Sequence, residues 1–158
     1  MDNNEIEPEI INILDLLKIN NLEIPEYQRP YKWTGKNVNQ LIDDILINKD
    51  KSAYRLGTIV IHNDKGKYKI VDGQQRTITI FLLAIAINKH ITTDKYIQND
   101  KLKLVKRGEK LSDFEPKSMF SFNNDITKKN IYDNFKAIER RITEFSTDFI
   151  YFFFLFTR

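Results

Sequence analysis

Apolar residues recur along the chain with two different periods, and the changes of period mark the predicted elements. The segments 9–19 and 34–46 place isoleucine, leucine or valine at helical spacing, so each predicts an amphipathic helix. Two β-branched runs within 54–73 flank a turn-forming cluster at 63–66, which predicts a β-hairpin. Residues 78–87 are apolar on nearly every side, as is typical of a helix buried in a domain centre.

The second half of the chain has a less regular pattern. Residues 92–124 are polar and predict a loop with a short strand at 102–105, and a helical stripe resumes near Thr127 and continues to Phe145. The end of the chain, "DFIYFFFLFTR", would promote aggregation if it were exposed, so we expect it to be covered. A buried strand and the front part of a larger protein are both open interpretations of this segment.

Composition excludes several kinds of site. The 158-residue chain has no cysteine, which excludes disulfides and thiolate metal sites, and its two histidines argue against a histidine-rich metal centre. A net charge of +3 does not by itself imply a nucleic-acid partner. No apolar run approaches the roughly 20 residues of a membrane span, and the acidic N-terminus is unlike a secretory signal. We therefore expect a cytoplasmic protein with no membrane partner.

Residues 72–76, Asp-Gly-Gln-Gln-Arg, form a helix-start motif between a predicted strand and the apolar helix. Free N–H groups and the positive end of the helix dipole favour a phosphate there, and Gly73 would let a ligand approach the backbone. Arg76 could neutralise phosphate, Asp72 could hold a cation or a water, and Gln74 and Gln75 offer donors and acceptors. A plain capped helix start is the simpler alternative, and motif shape alone favours it. An arginine that opens a helix is nevertheless better explained by an anionic partner than by the helix dipole.

Residues 24–33, "IPEYQRPYKW", form an extended motif because the prolines exclude a helix interior. As a strand, it would present on one face Tyr27, Arg29, Tyr31 and Trp33. Such rings can stack on a nucleobase while Arg29 binds its phosphates. Alternatively, the rings fill the core and Arg29 pairs with an acid such as Glu26 or Asp72. The residue types leave both interpretations open for Arg29, and they favour the core for Trp33.

The order and spacing of "IPEYQRPYKW", "LGTIVI" and "IVDGQQRTITI" resemble the N-terminal domain of the GmrSD-type family of modification-dependent restriction proteins. The resemblance covers residues 10–88 and extends more loosely to "NIYDNF" at 130–135. It implies an α+β fold of the ParB/sulfiredoxin-like group, in which several helices pack on a small mixed sheet with a β-hairpin. It also implies a nucleotide-hydrolysing or nucleotide-sensing domain that regulates a nuclease acting on modified DNA.

The resemblance implies a site for a nucleoside triphosphate and a divalent cation, expected to be Mg²⁺, with Asp72 as the metal ligand. The expected catalytic residues are Asp72, Gln75 and Arg76. The expected nucleotide- and phosphate-binding residues are Gln28, Arg29, Tyr31, Gly73, Gln74 and Thr77. Thr77 stands where the family often has leucine, and its hydroxyl could add a contact to phosphate or metal.

The chain has no counterpart of the family's nuclease motif, which contains histidine and asparagine, so we expect the nuclease to be a separate domain or subunit. A local basic patch for DNA is predicted at Lys103, Lys106, Arg107 and Lys110. Three hypotheses follow: a nucleoside triphosphatase, a non-catalytic nucleotide- or DNA-sensing module, and an inactive truncated remnant. The expected division is a nucleotide-binding core at 1–92, a loop or insertion at 93–125, and a helix with an aromatic tail at 126–158.

Overall fold

Helices and short strands alternate in the computed structural model, which describes residues 7–25, 29–93, 103–104, 109–110 and 125–158. The helices are α1 (Ile13–Leu17), α2 (Gly35–Asn48), α3 (Gln74–Thr93), α4 (Asp125–Arg141) and α5 (Thr147–Tyr151). The strands are β1 (Leu22–Glu23), β2 (Val60–Asp64), β3 (Lys67–Asp72), β4 (Lys103–Leu104) and β5 (Glu109–Lys110). A 3-10 turn (Ile142–Glu144) follows α4, and a π-helical turn (Phe152–Phe156) continues α5. The predicted α+β class is confirmed.

The main sheet is mixed and has the strand order β1-β3-β2. Strand β3 lies in the centre, parallel to β1 and antiparallel to β2. The β2–β3 hairpin turns through Lys65 and Gly66, whose φ angles of 51° and 86° are both positive, as a tight hairpin turn of this hand requires. The Asn63 side chain accepts a hydrogen bond from the Gly66 N–H at 3.0 Å. The predicted hairpin is therefore confirmed.

Helix α3 is the buried central helix of the fold, as its all-round apolar pattern predicts. Its residues Leu83, Ala84 and Ile87 have no exposed surface, and Ile85 is its one large apolar side chain classed as exposed among the described residues. Helix α4 packs against both α2 and α3, and it is joined to α2 by an ion pair of 2.7 Å between Arg141 and Asp43. The sheet, α3 and the C-terminal helices thus share one hydrophobic core.

Helix α1 is shorter than the predicted 9–19 segment. The Asn12 side chain accepts a hydrogen bond from the Asp15 N–H at 2.8 Å, so the cap places the first helical residue at Ile13. Ile10, which extended the apolar spacing towards the N-terminus, is 76% exposed. The apolar spacing therefore identified the helix correctly, but the capping residue determines where the helix begins.

The aromatic tail is covered, as expected, but the interpretation of it as a buried strand is wrong. Ser146 caps α5 by accepting a hydrogen bond from the Phe149 N–H at 3.2 Å, and helical turns continue to Phe156. Extended pairing begins only at Thr157, which bridges to Tyr54. An uninterrupted apolar run carries no period, so the cap and the available core volume decide between strand and helix.

The polar segment after α3 contains the short strand β4 (Lys103–Leu104), within the predicted 102–105, and β4 pairs with β5. The other residues of 94–124 lie outside the described residues. Within the described part of the chain, no helix combines the length and the apolarity that a membrane span requires.

Candidate functional site

The side chain of Gln75 connects the helix-start motif to the extended motif. Its Oε1 accepts hydrogen bonds from the backbone N–H groups of Lys32 at 2.7 Å and Trp33 at 3.3 Å. Its Nε2 donates to the carbonyl oxygen of Pro30 at 3.1 Å, across 45 positions of sequence. Both polar atoms of Gln75 are therefore engaged with backbone, which makes Gln75 a clamp between the motifs. The role of orienting a water stays a prediction.

Tyr31 lies inside the core with 1% of its surface exposed. Its backbone N–H donates to the Thr127 hydroxyl at 3.0 Å, and its carbonyl accepts from the Asn130 side chain at 2.7 Å. Its phenol hydroxyl lies 2.7 Å from the Thr79 hydroxyl and accepts from the Asn134 side chain at 2.8 Å. Burial raises the pKa of Tyr31, so the hydroxyl stays neutral. Tyr31 therefore fixes the segment that follows Arg29, and its expected contact with a nucleotide stays a prediction.

These groups form a directional chain of hydrogen bonds from α4 to the start of α3. The Thr79 hydroxyl donates to the Gln75 carbonyl at 2.9 Å, so its oxygen remains to accept the hydrogen of Tyr31. The Tyr31 oxygen in turn accepts from Asn134, whose amide also donates to the Trp33 carbonyl at 2.7 Å. Buried polar chains of this kind favour one arrangement of the groups that they join.

We expect Tyr31→Phe to lower the free energy of unfolding by about 1–2 kcal/mol, because it removes the middle of this buried chain. Urea denaturation followed by the fluorescence of Trp33, the only tryptophan, measures the change. Tyr132→Phe is the matched control, because it removes the same hydroxyl from a residue that is 64% exposed. Equal stability of the two variants would contradict a structural role of the Tyr31 hydroxyl.

Arg76 lies in the first turn of α3 against the backbone of Gly57. A Cβ atom at position 57 would overlap the Arg76 guanidinium, so a glycine there makes room for the arginine. The Nε atom of Arg76 is buried and has no hydrogen-bond partner within the described ranges, so those residues do not satisfy the whole guanidinium. Sequence reasoning missed Gly57; the available signal was its place in "LGTIVI" as one of five glycines in the chain.

Gly73 is packed against the chain that precedes β2, and its expected contact with a ligand stays a prediction. The φ of Gly73 is +87°, and a Cβ there would lie 2.7 Å from Ile59 Cγ2 and 3.2 Å from the Thr58 carbonyl oxygen. The protein's own chain therefore fills the space that the glycine leaves. Thr77 has no exposed surface and donates its hydroxyl hydrogen to the Gly73 carbonyl at 2.8 Å, and its expected contact with phosphate or metal stays a prediction.

Asp72 is exposed at the end of β3, and its Oδ1 accepts a hydrogen bond from the Gly73 N–H at 2.9 Å. Gln74 directs its side chain back along β3, where Nε2 is 3.4 Å from the Ile70 carbonyl oxygen. Helix α3 begins at Gln74, so the N–H groups of its first turn have no partner within the helix. Among the described residues, no cluster of three or more histidines, aspartates or glutamates could hold a metal ion, so Asp72 offers a single carboxylate.

Arg29 is exposed and directly precedes the proline whose carbonyl Gln75 holds. Arg29 and Asp72, both within the described ranges, form no ion pair with each other, which argues against one of the two pairings considered above. The other pairing, with Glu26, and the predicted contacts of Gln28 lie outside the described residues.

The predicted DNA patch is described only in part. Lys103 and Lys110 are directly opposite each other in the β4–β5 pair, whereas Lys106 and Arg107 lie outside the described residues. A contact between this hairpin and DNA stays a prediction.

Two residues of α4 that bind the extended motif were also not predicted from the sequence as site residues. Asn130 and Asn134 both belong to "NIYDNF", so the signal was present as a resemblance without an assigned role. An asparagine at this spacing on a helix does not by itself reveal which backbone it binds.

A comparison with protein families adds independent support. The family described as GmrSD restriction endonuclease, N-terminal domain, matches residues 10–157. The matched range contains both motifs, the glycine against Arg76 and the α4 asparagines. A search of curated proteins found no significant match. Because the family match spans nearly the whole chain, the chain belongs to the GmrSD restriction endonuclease N-terminal domain family.

Proposed function

We propose that this chain binds and hydrolyses a nucleoside triphosphate, and that it acts as a regulatory domain in a restriction system directed against modified DNA. Membership of a restriction endonuclease family supports the restriction part of the proposal. The hydrogen bonds of Gln75 support the nucleotide part of the proposal, because they fix the segment next to Arg29 onto the helix start that contains Arg76.

The groups near this helix start suit a polyphosphate. The N–H groups of the first turn of α3 and the positive end of its dipole favour an anion. Arg76 and Arg29 lie next to the two ends of the Gln75–Pro30 hydrogen bond, one on each motif. In this proposal, the two guanidinium groups neutralise phosphate charge, and Gln75 acts by holding both motifs in position.

Asp72 suits the divalent cation that accompanies a nucleoside triphosphate. Magnesium is commonly held by one or two carboxylates together with substrate phosphates and waters, so it does not need a protein cage. The exposed Asp72 carboxylate has one oxygen occupied by the Gly73 N–H, and the other would hold the ion. The ion would supply further neutralisation of phosphate charge.

A second candidate function is nucleotide sensing without turnover. The observation that favours it is the Gln75 side chain, whose Oε1 and Nε2 both bond to backbone, which suits a residue that holds the two motifs together. In this case nucleotide binding would change the start of α3 and signal to a nuclease domain or subunit.

Phosphate release from each nucleoside triphosphate with Mg²⁺, measured beside binding by calorimetry, tests both candidates. We expect Arg76→Ala and Asp72→Ala to lower the rate by about 10–100-fold, as the loss of a charged hydrogen bond does. The controls are Arg140→Ala and Asp133→Ala, which remove an exposed cation and an exposed carboxylate on α4.

Release that is lost in the site variants and kept in the controls supports hydrolysis. Binding that Arg76→Ala abolishes, without any release by the unmodified chain, supports sensing. Equal release in all four variants, or no nucleotide binding at all, contradicts both candidates.

A further inference from the structure

An open cleft of about 290 Å³ lies between the end of α2 and the last helical turns of the chain. It contains none of the residues of the helix-start motif or of the extended motif. This volume is at the lower limit of the roughly 300–1,000 Å³ that small-molecule sites commonly occupy, which suits a small ligand. The cleft is therefore a second candidate site, separate from the one around Arg76.

One wall of the cleft is cationic. Lys49 and Lys51 both line it, and neither forms an ion pair with any residue in the part of the chain that the structure describes. Asp50 lies between them in sequence but does not line the cleft. Two ammonium groups separated by one residue can approach the same anion.

Two aromatic rings also line the cleft. The Phe152 ring is 3% exposed and forms the inner surface, while Phe156 is 43% exposed at the edge. The two rings are stacked, with centroids 6.4 Å apart and planes at 28°. The Phe156 carbonyl accepts a hydrogen bond from the Tyr54 N–H at 2.9 Å, which holds the backbone that carries the outer ring. A fixed and partly exposed aromatic face suits a planar ring as its partner.

The remaining polar groups limit the charge of the ligand. The Asp148 carboxylate lines the same cleft as the two lysines, so a ligand with several phosphates would be repelled at one end. The Ser52 hydroxyl offers a hydrogen bond, and burial raises the pKa of Tyr151, which keeps its hydroxyl neutral. A ligand with one ring system, one phosphate and polar hydroxyl or amino groups matches this set.

We propose that the cleft binds a nucleoside monophosphate, with its base against Phe156 and its phosphate between Lys49 and Lys51. The lysines then supply charge, the ring supplies stacking, and Asp148 and Ser52 bond to the sugar or to the base edge. This site is additional to the proposed triphosphate site, and its occupancy does not depend on Arg76.

Titration of the ¹⁵N-labelled chain with AMP, adenosine or inorganic phosphate tests the proposal. We expect AMP to shift the backbone amide signals of 49–52 and 148–156, and to bind at least about tenfold more tightly than either fragment alone. Lys49→Ala combined with Lys51→Ala should weaken AMP binding by at least about tenfold, and so should Phe156→Ala.

The matched control is Lys36→Ala combined with Lys67→Ala, which removes the same charge from exposed positions elsewhere. Retention of AMP binding in this control and in Arg76→Ala supports the cleft. The absence of shifts in the cleft amides at millimolar AMP overturns the proposal. Loss of binding in Arg76→Ala, or equal weakening in the two lysine pairs, overturns it as well, and none of these outcomes depends on triphosphate hydrolysis.

Discussion

Phe153→Ala is expected to lower the free energy of unfolding by about 3–5 kcal/mol, the usual cost of emptying a buried phenylalanine site. Phe153 has no exposed surface. Its ring is stacked with Phe149 at a centroid distance of 6.5 Å and meets the edge of Phe154 at 4.9 Å. Because neighbouring rings cannot fill the space without leaving their own contacts, most of the cavity should remain.

Phe156→Ala is the matched control, since it removes the same side chain from the same π-helical turn but from a position that is 43% exposed. We expect a loss of less than about 1 kcal/mol there. Urea unfolding followed by Trp33 fluorescence measures both variants. Small and equal losses would mean that the aromatic tail does not belong to the folded core.

The extent to which the fold could be predicted depends on whether a local signal existed. The hairpin was predictable because the cluster 63–66 contains asparagine, aspartate and glycine, which favour turns. Helix α3 was predictable because its apolar surface extends all round. The helical structure of the aromatic tail was not predictable, because an unbroken apolar run fits a strand and a buried helix equally well. The Ser146 cap favours the helix, because its side chain accepts a hydrogen bond from the Phe149 N–H, which lies within reach when the helix forms.

The sequence was enough to predict that two motifs form the candidate site, but not how their side chains are arranged. The sequence suggests that 24–33 and 72–76 meet, yet the residue that joins them had been expected to orient a water. Gln75 binds backbone atoms of residues far away in sequence, and backbone carries no residue-specific signal. The same limit applies to Gly57, whose importance comes from the Arg76 side chain that lies against it.

Gly73→Ala is expected to lower the free energy of unfolding by about 2–5 kcal/mol, from two separate causes. The φ of +87° is a left-handed conformation that costs an alanine about 1–2 kcal/mol. The new Cβ would also lie 2.7 Å from Ile59 Cγ2 and close to the Thr58 carbonyl, and such overpacking costs about 1–3 kcal/mol. Chemical denaturation measures the sum of the two terms.

Gly66→Ala separates these causes because Gly66 has nearly the same φ, +86°, and no atom within 4 Å of the site of a Cβ. Gly66→Ala should therefore lower the free energy of unfolding only by the cost of the left-handed conformation, about 1–2 kcal/mol. A loss as large as that of Gly73→Ala would contradict the inference that the protein's own chain, through Ile59, fills the space at Gly73.

Gly57→Ala completes the comparison and links the fold to the proposed function. Gly57 has no left-handed φ, and its Cβ would meet only the flexible Arg76 side chain, so stability should change by less than about 1 kcal/mol. The guanidinium must nevertheless move, and we expect nucleotide binding to weaken as it does in Arg76→Ala. A stable Gly57→Ala chain with unchanged nucleotide binding would mean that the position of Arg76 against Gly57 does not matter to the site. Loss of binding without loss of stability would identify the 54–59 segment as the part of the fold that sets the arginine in place.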